Sequence, residues 1–149
     1  MRGIRGIGLA VAGIILAGCG GGGGGGGEDT APPTISSPAV NPARLRFPGG
    51  SVSITATVSD PAGVDRVWAI LTKPDQSTEA VELVKGTNDS YQGTYSAPAN
   101  TRSDGRAAAY TIYLRARDGK GNETPAPGVS AGTFQVDAPA PPPKEPDFK

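Results

Sequence analysis

The chain has 149 residues, and its 14 lysines and arginines balance 14 aspartates and glutamates. Arg2 and Arg5 lie in an N-terminal leader, so the rest of the chain is slightly acidic and lacks the basic surface that nucleic acid requires. The sequence contains no histidine, which removes the commonest general base and metal ligand and argues against most classes of enzyme.

The first segment is a short basic region followed by an apolar run from Ile7 to Leu16. This layout is typical of a secretory signal peptide. The run is too short to cross a bilayer as a retained helix, which takes roughly 20 residues. We therefore expect residues 1–18 to be a signal peptide that is removed on export.

The leader ends in Leu16-Ala17-Gly18-Cys19, which resembles the lipobox of bacterial lipoproteins. The resemblance implies that Cys19 becomes the first mature residue and carries a diacylglycerol and an N-acyl chain, with no other cofactor. Two or three acyl chains anchor a protein stably in membrane lipid, because each buried methylene contributes about 0.8 kcal/mol. Gly20 follows the cysteine, where the family favours aspartate for inner-membrane retention. The resemblance therefore implies a lipid-anchored protein of the bacterial cell envelope, in the outer membrane if the cell has one.

Cys19 has two alternative interpretations. It could be an incidental residue after an ordinary signal peptide, or a structural thiol buried in a folded domain. It is the only cysteine in the chain, so it has no partner for an intrachain disulfide.

An unbroken glycine tract, Gly20 to Gly27, comes next and is followed by a short segment that ends in two prolines. The tract matches the phosphate-binding pattern G-x-G-x-x-G only trivially, because neither a strand nor a helix flanks it. Eight glycines form a flexible coil with an end-to-end distance of roughly 15 Å. We interpret residues 19–33 as the lipidated cysteine and a flexible tether.

Residues 34–137 alternate apolar and polar side chains between turn signals, which is typical of half-buried strands. The pattern is clearest between Ser51 and Ser59, and Pro38 within the first segment is typical of an edge strand. No amphipathic helical stretch interrupts the pattern. Seven strands are predicted, and they are Thr34 to Val40, Ser51 to Ser59, Val64 to Thr72, Glu79 to Lys85, Tyr91 to Ala97, Ala108 to Arg117 and Ala131 to Asp137.

Three motifs in this region resemble bacterial immunoglobulin-like or fibronectin type III-like domains. They are Asp60-Pro61-Ala62-Gly63-Val64, Tyr91-x-Gly93-Thr94-Tyr95, and Tyr110-x-Ile112-x-Leu114-x-Ala116-x-Asp118-x-x-Gly121-Asn122. The resemblance implies an all-β fold, a seven-stranded Greek-key immunoglobulin-like sandwich. Ile112 stands where antibody domains carry their second cysteine, so we expect a sandwich without a disulfide.

Acidic residues close two of the predicted strands, at Asp60 and Asp118. Such residues commonly accept hydrogen bonds from turn amides, and on that interpretation no metal is bound. A calcium site is the alternative, with Asp60, Asp118 and Asn122 as its candidate ligands. No serine lies in a G-x-S-x-G or S-x-x-K motif, and we predict no catalytic residue.

Trp68 could point either way on its strand. An inward tryptophan would belong to the core, as in antibody domains. The alternation of Val67, Ala69 and Leu71 instead favours an outward Trp68 and Ile70. Tyr113 and Arg115 of the neighbouring strand would then lie beside them. These four residues would form a candidate binding patch for a protein or a sugar ring.

Residues 138–149 are rich in proline and are predicted to be a disordered tail. Together these features predict a membrane-anchored lipoprotein that presents a non-catalytic module for structural or adhesive contact with protein or glycan. The alternative is an accessory subunit of an envelope complex or of a secreted enzyme.

Overall fold

The computed structural model describes residues 28–144, and every regular element in this range is a β-strand. The predicted signal peptide, Cys19, the glycine tract and the last five residues of the chain lie outside the described residues. No segment of the described range forms a helix with the length and hydropathy to cross a membrane. The strands are β1 (Thr34–Asn41), β2 (Arg44–Leu45), β3 (Gly50–Ser59), β4 (Val64–Thr72), β5 (Thr78–Lys85), β6 (Ser90–Ala97), β7 (Ala108–Asp118) and β8 (Val129–Val136).

All eight strands belong to one hydrogen-bonded sheet with the order β1-β3-β6-β5-β4-β7-β8-β2. Neighbouring strands are antiparallel, except for the two-residue β2, which runs parallel to β8. The sheet curls so that β1, at one edge, packs against β8 near the other edge. The all-β prediction is confirmed. The structure differs from the predicted seven strands in having eight strands in one continuous sheet, because the short β2 is also present.

The core lies inside the curl and is built by the alternation that the sequence displays. On β3 the side chains of Val52, Ile54, Ala56 and Val58 are buried, while the residues between them are at least partly exposed. β4 and β7 contribute in the same way, and Phe134 and Val136 complete the core from β8. Burial of these apolar side chains supplies the main stabilisation of the fold, at roughly 1.5–3 kcal/mol for a fully buried aliphatic or phenylalanine side chain.

The two ends of the sheet differ in what they carry. The turns between β3 and β4 and after β7 lie at one end, where Gly119 donates its amide hydrogen to the carbonyl of Gly63 at 3.0 Å. We call this the entry end, because Thr34 of β1 pairs with Ser59 there and the chain before β1 approaches it. The loops before β5 and after β6 lie at the opposite end, which we call the far end.

Candidate functional site

The predicted patch residues lie on the outer face of the sheet, where β4 is flanked by β5 and β7. Trp68 pairs with Glu82 of β5 on one side and with Arg115 of β7 on the other. In the next row Ile70 pairs with Tyr113. Trp68, Ile70, Tyr113 and Arg115 are therefore neighbours on one surface, which we call the outer face patch.

Trp68 is only 8% exposed although it does not belong to the core cluster. The guanidinium carbon of Arg66 lies 4.9 Å from the centre of the indole, and that of Arg115 lies 5.5 Å from it. Both distances are within the range of cation–π contacts, each worth about 0.5–2 kcal/mol. The indole is thus covered by two arginine side chains, and it is not available for stacking unless they move.

Acidic residues hold both arginines in place. Glu82 accepts hydrogen bonds from Nε and Nη2 of Arg66. Glu123 accepts from Nη2 of Arg115 at 2.9 Å, and the carbonyl of Thr124 accepts from its Nε at 3.1 Å. The outer face therefore presents an ion-paired surface around the indole, with Ile70 and Tyr113 half-buried beside it.

The hydrogen bond from Arg66 lowers the pKa of Glu82, although partial desolvation opposes this shift. A carboxyl group with a lowered pKa stabilises the fold fully above its ordinary pKa and loses that contribution as the pH falls through the lowered value. The pair between Glu82 and Arg66 therefore contributes fully at neutral pH, and its contribution is lost at acid pH as Glu82 becomes protonated.

A second group of polar side chains lies at the entry end. Asp29, Asp60 and Asp118 each place a carboxylate oxygen within 4.8 Å of the others, and we call them the carboxylate cluster. The sequence pointed to Asp60, Asp118 and Asn122, but not to Asp29. Asp29 could have been predicted from an antiparallel pairing of β1 with β3, because the residues before Thr34 must then approach those after Ser59.

Asp118 is 1% exposed and organises the turn that follows β7. Its Oδ1 accepts from the amides of Lys120 and Asn122, each at 2.8 Å, and its Oδ2 accepts from Nδ2 of Asn122 at 2.7 Å. Burial by itself would raise the pKa of Asp118, but the hydrogen bonds, led by those from Asn122, outweigh it and hold the pKa below its usual value. Asp118 is thus a buried, ionised carboxylate.

Asn122 positions the cluster through its amide nitrogen. Besides Asp118, its Nδ2 donates to the backbone carbonyl of Asp29 at 2.8 Å. The amide therefore holds the segment before β1 against the turn after β7. In this geometry Asn122 orients its neighbours through donated hydrogen bonds.

Asp60 and Asp29 each use one carboxylate oxygen locally. Oδ1 of Asp60 accepts from the amide of Ala62 at 2.7 Å, and Oδ1 of Asp29 accepts from the amide of Ala31 at 3.1 Å. Oδ2 of Asp29 is buried and accepts no hydrogen bond from any described residue. No other buried side-chain oxygen or nitrogen within residues 28–144 lacks a partner.

The far end carries a groove of about 300 Å³ between its loops. Asn100, which is buried beneath it, donates to the carbonyls of Arg106 and Val136 and thereby ties the loop after β6 to the end of β8. Tyr110 forms part of the wall, and burial raises the pKa of its hydroxyl. The lining residues are Lys73, Pro74, Asp75, Pro98, Ala99, Asn100, Thr101, Arg102, Ala108 and Tyr110.

No protein-family model and no curated protein matches this chain. Two solved structures are similar to it at a TM-score of 0.42. One is a DUF4785 family protein from Legionella pneumophila, at 15% identity over 66% of this chain and 27% of that chain. The other is the sialic acid binding region of the Streptococcus sanguinis SK1 adhesin bound to 3'sLn, at 19% identity over 74% of this chain and 31% of that chain. The chain thus spans about a third or less of the length of either protein.

Proposed function

We propose that this protein is a lipoprotein of the bacterial cell envelope, in the outer membrane where one exists. It presents a non-catalytic, immunoglobulin-like β-sandwich for structural or adhesive contact with a protein or a glycan. The observation that carries the proposal is the order of segments, in which Leu16-Ala17-Gly18-Cys19 closes an apolar leader and a glycine tract connects it to an all-β domain. The lack of histidine supports a role in binding.

The two ends of the sheet support this arrangement. The chain reaches β1 at the entry end, so this end lies nearer to an anchor at Cys19. β3 has 10 residues and, at about 3.3 Å a residue, spans roughly 33 Å. A flexible tether attached at the entry end leaves the far end with its groove, and the outer face patch along the side of the domain, clear of the attachment.

The anchoring half of the proposal is tested with the full chain expressed in a bacterial host that processes lipoproteins. The wild type should incorporate radiolabelled palmitate and sediment with the membranes after a high-salt wash. Cys19→Ala removes the thiol that accepts the lipid, so at least nine-tenths of the label and of the sedimenting protein should be lost.

Gly20→Ala is the matched control, because it changes the adjacent residue and keeps the thiol. It should retain both the label and the membrane association. A Cys19→Ala protein that still sediments with washed membranes, or a wild type that takes up no palmitate, would show that Cys19 is not the anchor.

A further inference from the structure

We propose that the carboxylate cluster binds one Ca²⁺ ion, which fastens the end of the tether to the entry end of the sheet. The inference goes beyond the proposed function, because neither an anchor nor a binding module requires a metal. Its ligands are Asp29 from the segment before β1, Asp60 after β3 and Asp118 at the end of β7.

The spacing of the three carboxylates fits one ion. Calcium binds oxygen at about 2.3–2.6 Å, so two oxygens on opposite sides of the same ion are about 5 Å apart. One oxygen of each aspartate lies within 4.8 Å of those of the other two. All three can therefore reach a common centre without a rearrangement of the backbone.

Oδ2 of Asp29 is the atom that indicates a bound ligand. It is buried and accepts no hydrogen bond from the described residues, whereas the other oxygen of the same carboxylate is bonded to Ala31. A buried carboxylate oxygen without a partner is strongly unfavourable, because it has lost its hydration and gained nothing in exchange. A cation between the aspartates would satisfy it.

The charges around the carboxylate cluster also favour a bound cation. None of the ion pairs among residues 28–144 involves Asp29, Asp60 or Asp118. Three carboxylates at this spacing repel one another, and the two oxygens of Asp118 accept hydrogen bonds from Asn122 alone among the side chains of the described residues. A divalent cation neutralises most of this charge, which no lysine or arginine side chain does in the structure.

The donor set favours calcium over other metals. The cluster offers hard carboxylate oxygens and neither imidazole nor thiolate, which excludes a typical zinc or copper site. Magnesium requires a tighter and more regular octahedron, whereas calcium accepts irregular sets of six to eight oxygens. The depression beside Asp29 is open to solvent and leaves room for water to complete the coordination; it is lined by Glu28, Asp29, Thr30, Ala31, Pro61 and Ala62.

The test uses the full-length lipidated protein in a neutral detergent after calcium has been removed with EGTA. Isothermal titration with CaCl2 should show one ion bound per chain. At calcium concentrations a hundredfold above Kd the melting temperature should rise by roughly 10–15 °C, because the ion binds only the folded protein. MgCl2 at the same ionic strength should produce a much smaller rise.

Asp29→Asn is the decisive variant, because Asp29 belongs to no strand and its loss leaves the sheet intact. Its calcium affinity should fall at least tenfold, while its melting temperature without calcium should equal or exceed that of the wild type. Glu28→Gln removes the adjacent acid from outside the cluster and should bind like the wild type. Absent or non-stoichiometric calcium binding by the wild type, or equal binding by Asp29→Asn, would overturn the proposal.

Discussion

At the scale of single residues, the structure shows that a side chain can be buried without belonging to the core. Trp68 is nearly inaccessible, yet it lies on the outer face and is covered by the side chains of Arg66 and Arg115. Long arginine side chains cover apolar surface with their methylene groups while the charged ends stay hydrated or ion-paired. The exposure of this tryptophan therefore depends on its charged neighbours.

Removal of one arginine should expose the indole. In Arg115→Ala, collisional quenching of tryptophan fluorescence by acrylamide should rise about twofold or more, with a red shift of the emission. Trp68 is the only tryptophan, so the signal reports this site alone. Because acrylamide is uncharged, the loss of a guanidinium group does not change the local concentration of the quencher.

Arg44→Ala serves as the control for this experiment, because Arg44 pairs with Asp137 and not with the outer face. It should leave the quenching constant at the wild-type value. Equal quenching in Arg115→Ala and Arg44→Ala would mean that Arg115 does not cover the indole in solution.

At the scale of the strand, β5 connects the two halves of the sheet. Its residues from Thr78 to Leu83 pair with β4, whereas Val84 and Lys85 pair with β6. Gly93 on β6 permits the approach, since a Cβ there would lie 2.9 Å from the carbonyl oxygen of Glu82. Val84 is 72% exposed, because it follows the buried Leu83 and pairs with the exposed Gln92 on the outer face.

A methyl group at Gly93 should push β5 away from β6. We expect Gly93→Ala to lower the free energy of unfolding by about 1–3 kcal/mol, as is usual for a steric clash with a backbone atom in a packed interior. Urea unfolding followed by circular dichroism measures the difference.

Gly86→Ala is the corresponding control in the turn between the same two strands. A Cβ there would meet the carbonyl oxygen of Ser90 at 3.5 Å, an ordinary contact, and the backbone has no positive φ. Its free energy of unfolding should stay within about 1 kcal/mol of the wild type or rise slightly. If Gly93→Ala unfolds at the same urea concentration as Gly86→Ala, the close approach of β5 to Gly93 is not a determinant of stability.

At the scale of the whole molecule, the outer side of β4 and its neighbouring strands carries aromatic and charged groups together. The outer face patch combines the half-buried Tyr113 and Ile70 with the ion-paired cover of Trp68. Aromatic and arginine side chains are the residues that most often dominate the affinity of protein interfaces. We therefore expect a binding partner of this domain to contact this patch.

Tyr113→Ala should reduce the capture of a protein from detergent-solubilised envelope, or the binding of a glycan on an array, by at least tenfold. The bait is the full-length protein, and circular dichroism verifies its fold. Thr94→Ala changes an exposed residue of β6, on the other half of the sheet, and should bind like the wild type. Undiminished binding by Tyr113→Ala would exclude the patch as the contact surface.

Local patterns were sufficient to predict seven of the eight described strands but not every contact between them. The alternation along β3 and β7 predicted which side chains are buried, because a strand with one face in the core repeats every second residue. The two-residue β2 has no period and could not be predicted in this way. Pro38 indicated an edge strand, and β1 is an edge of the sheet with an irregularity in its register at this proline.

The candidate sites depend on contacts between residues that are distant in the sequence. Asp29 and Asn122 are 93 positions apart, and only the pairing of strands brings them together. The cover of Trp68 likewise comes from Arg66 on its own strand and Arg115 on the next, and its geometry follows from the rotamers of two long side chains. Sequence patterns predict the face on which a residue lies, but not which neighbour folds over it.

The chain enters the domain at one end of the curled sheet and leaves β8 at the other. If the segment before β1 and the segment after β8 are pulled apart, tension acts along β1 and β8 in opposite directions. The ladder between β1 and β3 and the ladder between β7 and β8 are then loaded in shear, so their hydrogen bonds share the force and must break together. In a domain that the chain enters and leaves at the same end, the hydrogen bonds of the terminal strands would break one at a time. This topology therefore resists mechanical extension between the segment that precedes β1 and the segment that follows β8.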